Sequence, residues 1–545
     1  MGQTLENTFI SKNNDSGRYF IYSMALDDSG NQYTCGLLEG KADFARDSNT
    51  YFLRSNGQFD CFVAKYNSGG KLLWAKSFGG SSNDLPSKIA VDKEQNIVIL
   101  GTFWYTMQID PNTPASKVTS NGASDLFVLN LKQNGDFVWI KTLGNDRYDQ
   151  SYGLDIGTNG DILIAGNYNF NIDINPEQAV VELQGTQARN SYCIVFDKNG
   201  IYKWSKHIQG LKDNHYYAVC FDKLNNVYVA GSFAGQTYLH PETKSDSSNA
   251  RGSAAALIQK FDQDGSFLWE KIIDGAAAEE ITALAIDPNN ELIFSGYFNN
   301  SISFAPNDSF VCLGTYSAFV AKCNANGALV WNKVFTNNKR VSISTLAVDQ
   351  NYNIWTVGVY NEVCDFNPNK ANYPLENIGY DDGFISKLNY LGEFVGAASL
   401  GSVNYEQFTE IKIFNKNIIA VGNVYGTTTL KLGKLSYLLS SQNSQPQVIS
   451  ITLADNLLSN QSQRSDQNIK VFPNPSKGQM FIQAQNIQSI KLYDICGKEL
   501  DFNIESQDLF GLTLNTQKLI PGIYLLTIQT DSNNSIQVKI CIENP

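Results

Sequence analysis

A tryptophan followed 27 residues later by a glycine recurs five times in this chain, as Trp74 and Gly101, Trp139 and Gly166, Trp204 and Gly231, Trp269 and Gly296, and Trp331 and Gly358. A spacing held that strictly sets the same length of chain between the same two packing points each time. The sequence therefore reads as tandem copies of one supersecondary unit, not as a series of unrelated domains. With Gly36 and Gly422 added, the glycines stand 65, 65, 65, 65, 62 and 64 residues apart, which makes seven units.

Each unit carries four short runs of β-branched and aromatic residues; in the second these are SKIAVD, NIVILGTF, DLFVLNLK and DFVWIKTLG. Turn signals separate the runs, and each glycine is expected to close the second one. Between the first two stand an Asp nine before the glycine (Asp27, Asp92, Asp222, Asp287, Asp349) and usually an Asn five before it. Between the last two stands a hairpin glycine: Gly70, Gly135, Gly200, Gly265, Gly327 or Gly392. This is the pattern of a four-stranded antiparallel meander. Such units bury both faces by radial stacking, so the expectation is an all-β seven-bladed β-propeller over residues 1–453. Counting back 27 from Gly36 lands on Phe9, while the seventh unit offers only EIKIF, NIIAVGNV and VISITL. The N-terminal strand is therefore expected to complete the last blade and close it.

Composition excludes several classes. The 545 residues are 42% apolar and carry 41 basic against 53 acidic side chains, a net charge of −12 that opposes nucleic acid. No run approaches the roughly 18 apolar residues of a membrane helix, and no leader is present, which is expected if it has been removed. Nine scattered cysteines without a CxxC argue against a disulfide framework, with Cys496 to Cys541 the one pairing left open. No GxSxG, HExxH, P-loop, dinucleotide-binding or EF-hand pattern occurs. The three histidines, His207, His215 and His240, are read as packing or surface residues.

Two sets of residues remain as site candidates. Ten after each Trp, in the connection feeding the innermost strand, stand Asp84, Asp149, Asn214 and Glu279, with Glu406 near the equivalent place and Val341 breaking the set. On a ring these converge toward a channel mouth as a cation or amine site; singly, each caps its own loop. No cofactor is expected; calcium has a conceivable place there but no motif. The second set lies in the inserts after each glycine: Asp110, Asp173, Asn175, Asp365 and Asn367, near prolines ten after the glycine at 111, 176, 241, 306 and 368.

Beyond Leu453 the repeat stops in a polar linker, residues 454–468, and strand-like runs with Pro and Gly turns resume over 469–545, enough for a small Ig-like β-sandwich. The blocks VFPNPSKG (Val471 to Gly478), LYDICGKEL (Leu492 to Leu500), PGIYL (Pro521 to Leu525) and the strand around Val538 to Ile540 resemble the type A sorting domain of the type IX secretion system. The carriers are Pro473, Asn474, Pro475, Gly478, Tyr493, Asp494, Gly497, Pro521, Gly522 and Tyr524. The resemblance implies export by that machinery, handling by its sortase-like peptidase, and a product that is secreted or held at the outer-membrane surface. Residues 1–453 resemble bacterial seven-bladed propellers of SBBP-type repeats, on D-x-F-V-x-K-x-x-x-x-G-x-x-x-W as at Asp60 to Trp74 and Asp125 to Trp139. Function is expected to be binding of an extracellular glycan or protein. The alternatives are a polysaccharide- or peptide-degrading enzyme using loop-face carboxylates, or a structural surface component.

Overall fold

The structure is a computed structural model that describes residues 7–10, 17–47, 49–175, 180–242, 247–305, 308–367, 373–432, 435–439, 446–454, 470–472, 479–483, 487–494, 498–508, 511–530 and 535–542. The chain divides into two compact units, Met1–Ser459 and Asn460–Pro545. The fold is all-β.

In the first unit every repeat is an antiparallel sheet whose first four strands lie in chain order. The second repeat has strands Asp84–Val91, Ile97–Phe103, Asp125–Leu131 and Phe137–Leu143. Its middle strands are buried at every position, because other sheets cover both faces; only the fourth strand alternates toward solvent. The core therefore lies between sheets. One cluster joins Cys35 and Val63 of the first sheet to Ile99 and Phe127 of the second, and another joins Leu100 and Val128 to Ile164 and Tyr192 of the third.

The same kind of cluster joins the two ends of the unit: Tyr19 and Phe62 of the first sheet pack with Ile419, Val421 and Val448 of the seventh. The seventh sheet takes its outer strand, Asn7–Ile10, from the start of the chain, with Phe9 opposite Ser450. First strands contact one another in succession from Gly17–Leu26 to Gln407–Phe414, and the last of them contacts the first.

The tryptophans work at the joints between sheets. Trp74 donates from Nε1 to the Gln133 carbonyl at 3.2 Å, Trp204 to Gln263 at 3.0 Å, Trp269 to Ala325 at 3.0 Å and Trp331 to Tyr390 at 3.2 Å, each in the next sheet's hairpin. Their rings lie on the hairpin glycine, which has positive φ (+80° at Gly135) and no Cβ to keep them off. Phe9 stands in for Trp in the seventh sheet: a Cβ on Gly70 would come within 2.0 Å of its ring.

The repeat glycines do not close the second strands as their position suggests; they lie inside them. In each first strand the register slips by one residue opposite the glycine, as between Pro86 and Lys88 opposite Gly101. This bulge pushes a carbonyl into the space a Cβ would take, 2.5 Å from Leu85 O at Gly101 and 1.8 Å from His215 O at Gly231. The turn aspartates bond their own loops: Asp27 accepts from Ser29 N, Asn31 N and Asn31 Nδ2. They also meet a buried lysine from the third strand, Lys65 with Asp27 and Lys260 with Asp222 at 3.5 Å, and Lys322 with Asp287 at 2.7 Å.

The inserts are short hairpins, and several extend the preceding sheet's outer edge, as where Met107 pairs with Gly80. Pro111 and Pro241 belong to them; Pro176, Pro306 and Pro368 lie outside the described residues, as do residues 455–468 of the linker.

The second unit contains two four-stranded antiparallel sheets. They share a core of Met480, Ile482, Leu492, Leu512, Leu514, Leu526, Ile528 and Ile540. Tyr524 donates its hydroxyl to the Ile520 carbonyl.

Candidate functional site

Inserts and sheet-to-sheet connections meet at one end of the strands of the first unit, where first and third strands begin. There the amide of Asp84 donates to Phe59 O of the preceding sheet, and Asp149 to Ser124, Asn214 to Arg189, Glu279 to Ala254, Val341 to Tyr316 and Glu406 to Asp381 do the same. The candidates Asp84, Asp149, Asn214, Glu279 and Glu406 are thus equivalent, and all five are 0% exposed. Each is used by its own loop. Asp84 accepts from Gly80 N at 2.7 Å, Asp149 from Asn145 N at 2.9 Å, Glu279 from Gly275 N at 2.8 Å, and Glu406 from Ser402 N at 2.7 Å.

A partner for each lies 24 residues earlier, at the head of the preceding sheet's third strand: Asp60, Asp125, Asn190 and Asp382 for Asp84, Asp149, Asn214 and Glu406. Gly79 carries the first pair on its Cα, where a Cβ would lie 2.8 Å from both Asp60 Oδ1 and Asp84 Oδ2. Burial, followed by the Asp60 charge, pushes Asp84 up to about 7 against the opposing Gly80 amide. Burial does the same to Asp149, assisted by Asp125, and to Asp382, assisted by Glu406. Glu279 also reaches about 7, through burial and Asp274. Asp84 Oδ1, Asp125 Oδ1, Asp149 Oδ1, Glu279 Oε1 and Asp382 Oδ1 find no hydrogen-bond partner in the protein. The Asn190 and Asn214 joint is satisfied: Asn214 Nδ2 donates to Lys212 O at 3.1 Å, and its Oδ1 accepts from Thr237 Oγ1 at 2.9 Å. The 24-residue spacing was visible in the sequence, because the partner is the leading Asp of the D-x-F-V pattern.

Side chains with access to solvent come from the bulges, which re-aim the residue they displace. The seven displaced residues are Tyr22, Ser87, Tyr152, Tyr217, Thr282, Ser344 and Thr409. Tyr152 and Tyr217 meet edge to face, with ring centres 5.2 Å apart. His215 lies flat against Tyr217 at 5.0 Å and shares a 2.6 Å hydrogen bond through Nδ1 with Asn167 Nδ2. Burial and then Arg189 lower its pKa to about 4, so the imidazole is neutral. Glu280 stands opposite Tyr297, which packs on Tyr316 at 5.1 Å. The Tyr217 and Tyr297 phenols are held protonated by burial and then by the Glu280 charge beside them. These residues share no residue type across the repeats, so no periodic signal marked them.

The insert candidates are loop hardware. Asp110 accepts from Asn112 N and Thr113 Oγ1, Asp173 from Asn175 N and Val181 N, and Asp365 from Asn367 N and Tyr373 N. A cleft of about 540 Å³ opens between the inserts of the fourth and fifth sheets, where Arg251 pairs with Asp274 at 3.0 Å. His207 is buried, and His240 bonds Glu270. Among the described residues no three His, Cys, Asp or Glu side chains gather as a metal site. Of the sorting-motif residues, Tyr493, Asp494, Pro521, Gly522 and Tyr524 are described, whereas Pro473, Asn474, Pro475, Gly478 and Gly497 lie outside the described residues; so do Cys496 and the side chain of Cys541.

Residues 470–543 match the family described as the secretion system C-terminal sorting domain. The chain is 23% identical over 438 residues to an uncharacterised WD repeat-containing protein of Acanthamoeba polyphaga mimivirus, covering 68% of this chain and 32% of that one. It is 29% identical over 110 residues to the regulatory protein FlaEY of Caulobacter vibrioides, covering 20% and 12%. It thus spans a third or less of the length of these curated relatives. Among solved structures, a Dyadobacter fermentans protein of unknown function is similar at 9% identity and a TM-score of 0.33, with 83% of this chain and 99% of that one covered. The extracellular domain of a putative one component system from Bacteroides thetaiotaomicron is similar at 10% identity and a TM-score of 0.19, with 96% and 92% covered.

Repeated antiparallel sheets ending in such a domain define a secreted or cell-surface β-repeat protein. The sorting domain consigns this chain to the type IX machinery, and among the described residues no helix is long and apolar enough to cross a membrane.

Proposed function

We propose that this chain is an extracellular binding module: a closed seven-bladed propeller of SBBP-type repeats over residues 1–453, a linker, and an Ig-like sorting sandwich over 469–545 removed or anchored by the sortase-like peptidase of the export machinery. The pairing of Asn7–Ile10 with the seventh sheet and the contact of first with last sheet support the ring. One observation carries the choice of binding over catalysis. The carboxyls with raised pKa, the natural candidates for acid and base work, are 0% exposed and bonded to their own loops, out of a substrate's reach. The accessible inner residues at the insert face are instead tyrosines, which supply rigid contact area at low entropic cost. A glycan and protein array probed with residues 1–453 tests this. A saturable hit that leaves the ligand unchanged supports it, and turnover of any member of a polysaccharide and peptide panel overturns it.

A further inference from the structure

We propose that the tyrosine cluster around Glu280 is a binding site for an ammonium group, taken between the Glu280 carboxylate and the rings of Tyr152, Tyr217, Tyr297 and Tyr316. This deepens the binding-module reading and rests on it.

Glu280 is the only acid at its position in the seven sheets, where the equivalents are Phe20, Leu85, Gln150, His215, Ser342 and Gln407. It is half-buried at the inner edge of the fifth sheet, opposite Tyr297 and beside Tyr217 of the fourth. A carboxylate withdrawn from water calls for a counter-charge. Among the described residues, however, no ion pair includes Glu280. The nearby guanidinium of Arg189 is engaged by Asp213 at 3.6 Å, and His215, stacked on Tyr217, is neutral. Phenol hydroxyls steady the carboxylate charge without cancelling it. What the cluster lacks is a positive charge, and what surrounds the vacancy of charge is aromatic: Tyr152 meets Tyr217, and Tyr316 meets Tyr297. Ring faces carry negative potential, so a carboxylate among tyrosines selects a cation of low hydration, an alkylammonium, over a neutral or anionic group. Inorganic cations are disfavoured because the site offers a single carboxylate and too few oxygens to replace a hydration shell.

The test is calorimetric titration of the full chain, at physiological ionic strength, with tetramethylammonium, n-butylammonium and glucosamine, each against its uncharged counterpart: neopentane-type alcohol, n-butanol and N-acetylglucosamine. We expect saturable one-site binding of at least one ammonium probe, at least tenfold tighter than its neutral counterpart; the alkyl and sugar arms say which carrier the ammonium rides on. Glu280→Gln, which keeps the shape and the phenol hydrogen bonds, is expected to weaken binding at least tenfold with an unchanged melting curve. Tyr152→Phe, which keeps the ring, is expected to retain it. Equal binding of charged and neutral probes, undiminished binding by E280Q, or no saturable binding overturns the proposal. An array ligand whose binding is untouched by E280Q overturns it while leaving the binding-module reading intact; an array without any hit removes that reading instead.

Discussion

Raising the pH should loosen the joints between sheets, and Asp84 shows by how much. In the unfolded chain its carboxyl titrates near 3.8; in the folded chain burial and Asp60 push it up to about 7. Below about pH 4 the group is protonated in both states and its contribution to stability is complete. As pH rises, the unfolded chain releases its proton first, so stability falls by about 1.4 kcal/mol per pH unit until the folded group also ionises near 7. Between pH 5 and pH 8 this linkage removes about 2.5 kcal/mol through Asp84 alone. Asp149 and Asp382 act in the same direction. The buried histidines His207 and His215, lowered to about 4, act in the opposite one, losing stability as pH falls below 6.5. Overall melting therefore mixes the two, and the informative quantity is the difference between wild type and Asp84→Asn. The amide has a precedent in Asn214, whose Nδ2 reaches Arg189 O and Lys212 O; Phe59 O and Ser82 O are the equivalents for position 84. Urea unfolding of both proteins at pH 5, 6, 7 and 8 should show Asp84→Asn gaining about 2.5 kcal/mol on wild type across that range and levelling off above pH 7. A gap that does not change with pH would refute the reasoning, since Asp84 would then be ionised throughout.

Three further outcomes follow from the same geometry. Gly231→Ala places a Cβ 1.8 Å from His215 O and should cost more than about 3 kcal/mol or abolish folding, whereas Gly69→Ala, whose nearest neighbour is Asn67 Oδ1 at 3.4 Å, should stay within about 0.5 kcal/mol in the same denaturation series. Deleting residues 1–15 removes the outer strand of the seventh sheet and the Phe9 ring from Gly70, so limited proteolysis should cut between the first and seventh sheets and the melting transition should fall; an unchanged digest and transition would remove the case for closure. Millimolar calcium should leave the melting temperature of the full chain unmoved, because loop amides already hold the buried carboxyls. A rise of several degrees that Asp84→Asn abolishes would make Asp84 Oδ1 a metal ligand.

The sequence by itself determined the repeat, its strand content and the export signal, because these are written in local terms: alternating turn residues and apolar runs, a constant 27-residue interval, and the blocks from Val471 to Ile540. It also located Asp84, Asp149, Asn214, Glu279 and Glu406 as one equivalent set. Tertiary structure decided what those residues do. A carboxyl's role depends on what lies across the joint, and Asp60, 24 residues away on another sheet, made Asp84 a buried partner and not a solvent-facing ligand. The repeat glycines changed meaning for the same reason: only the bulge in the neighbouring strand shows that Gly101 makes room for a carbonyl. Glu280 and its tyrosines left no trace in the period at all. They come from different sheets and share no residue type, so their meeting exists only where the bulges of adjacent sheets bring single, unrepeated side chains together.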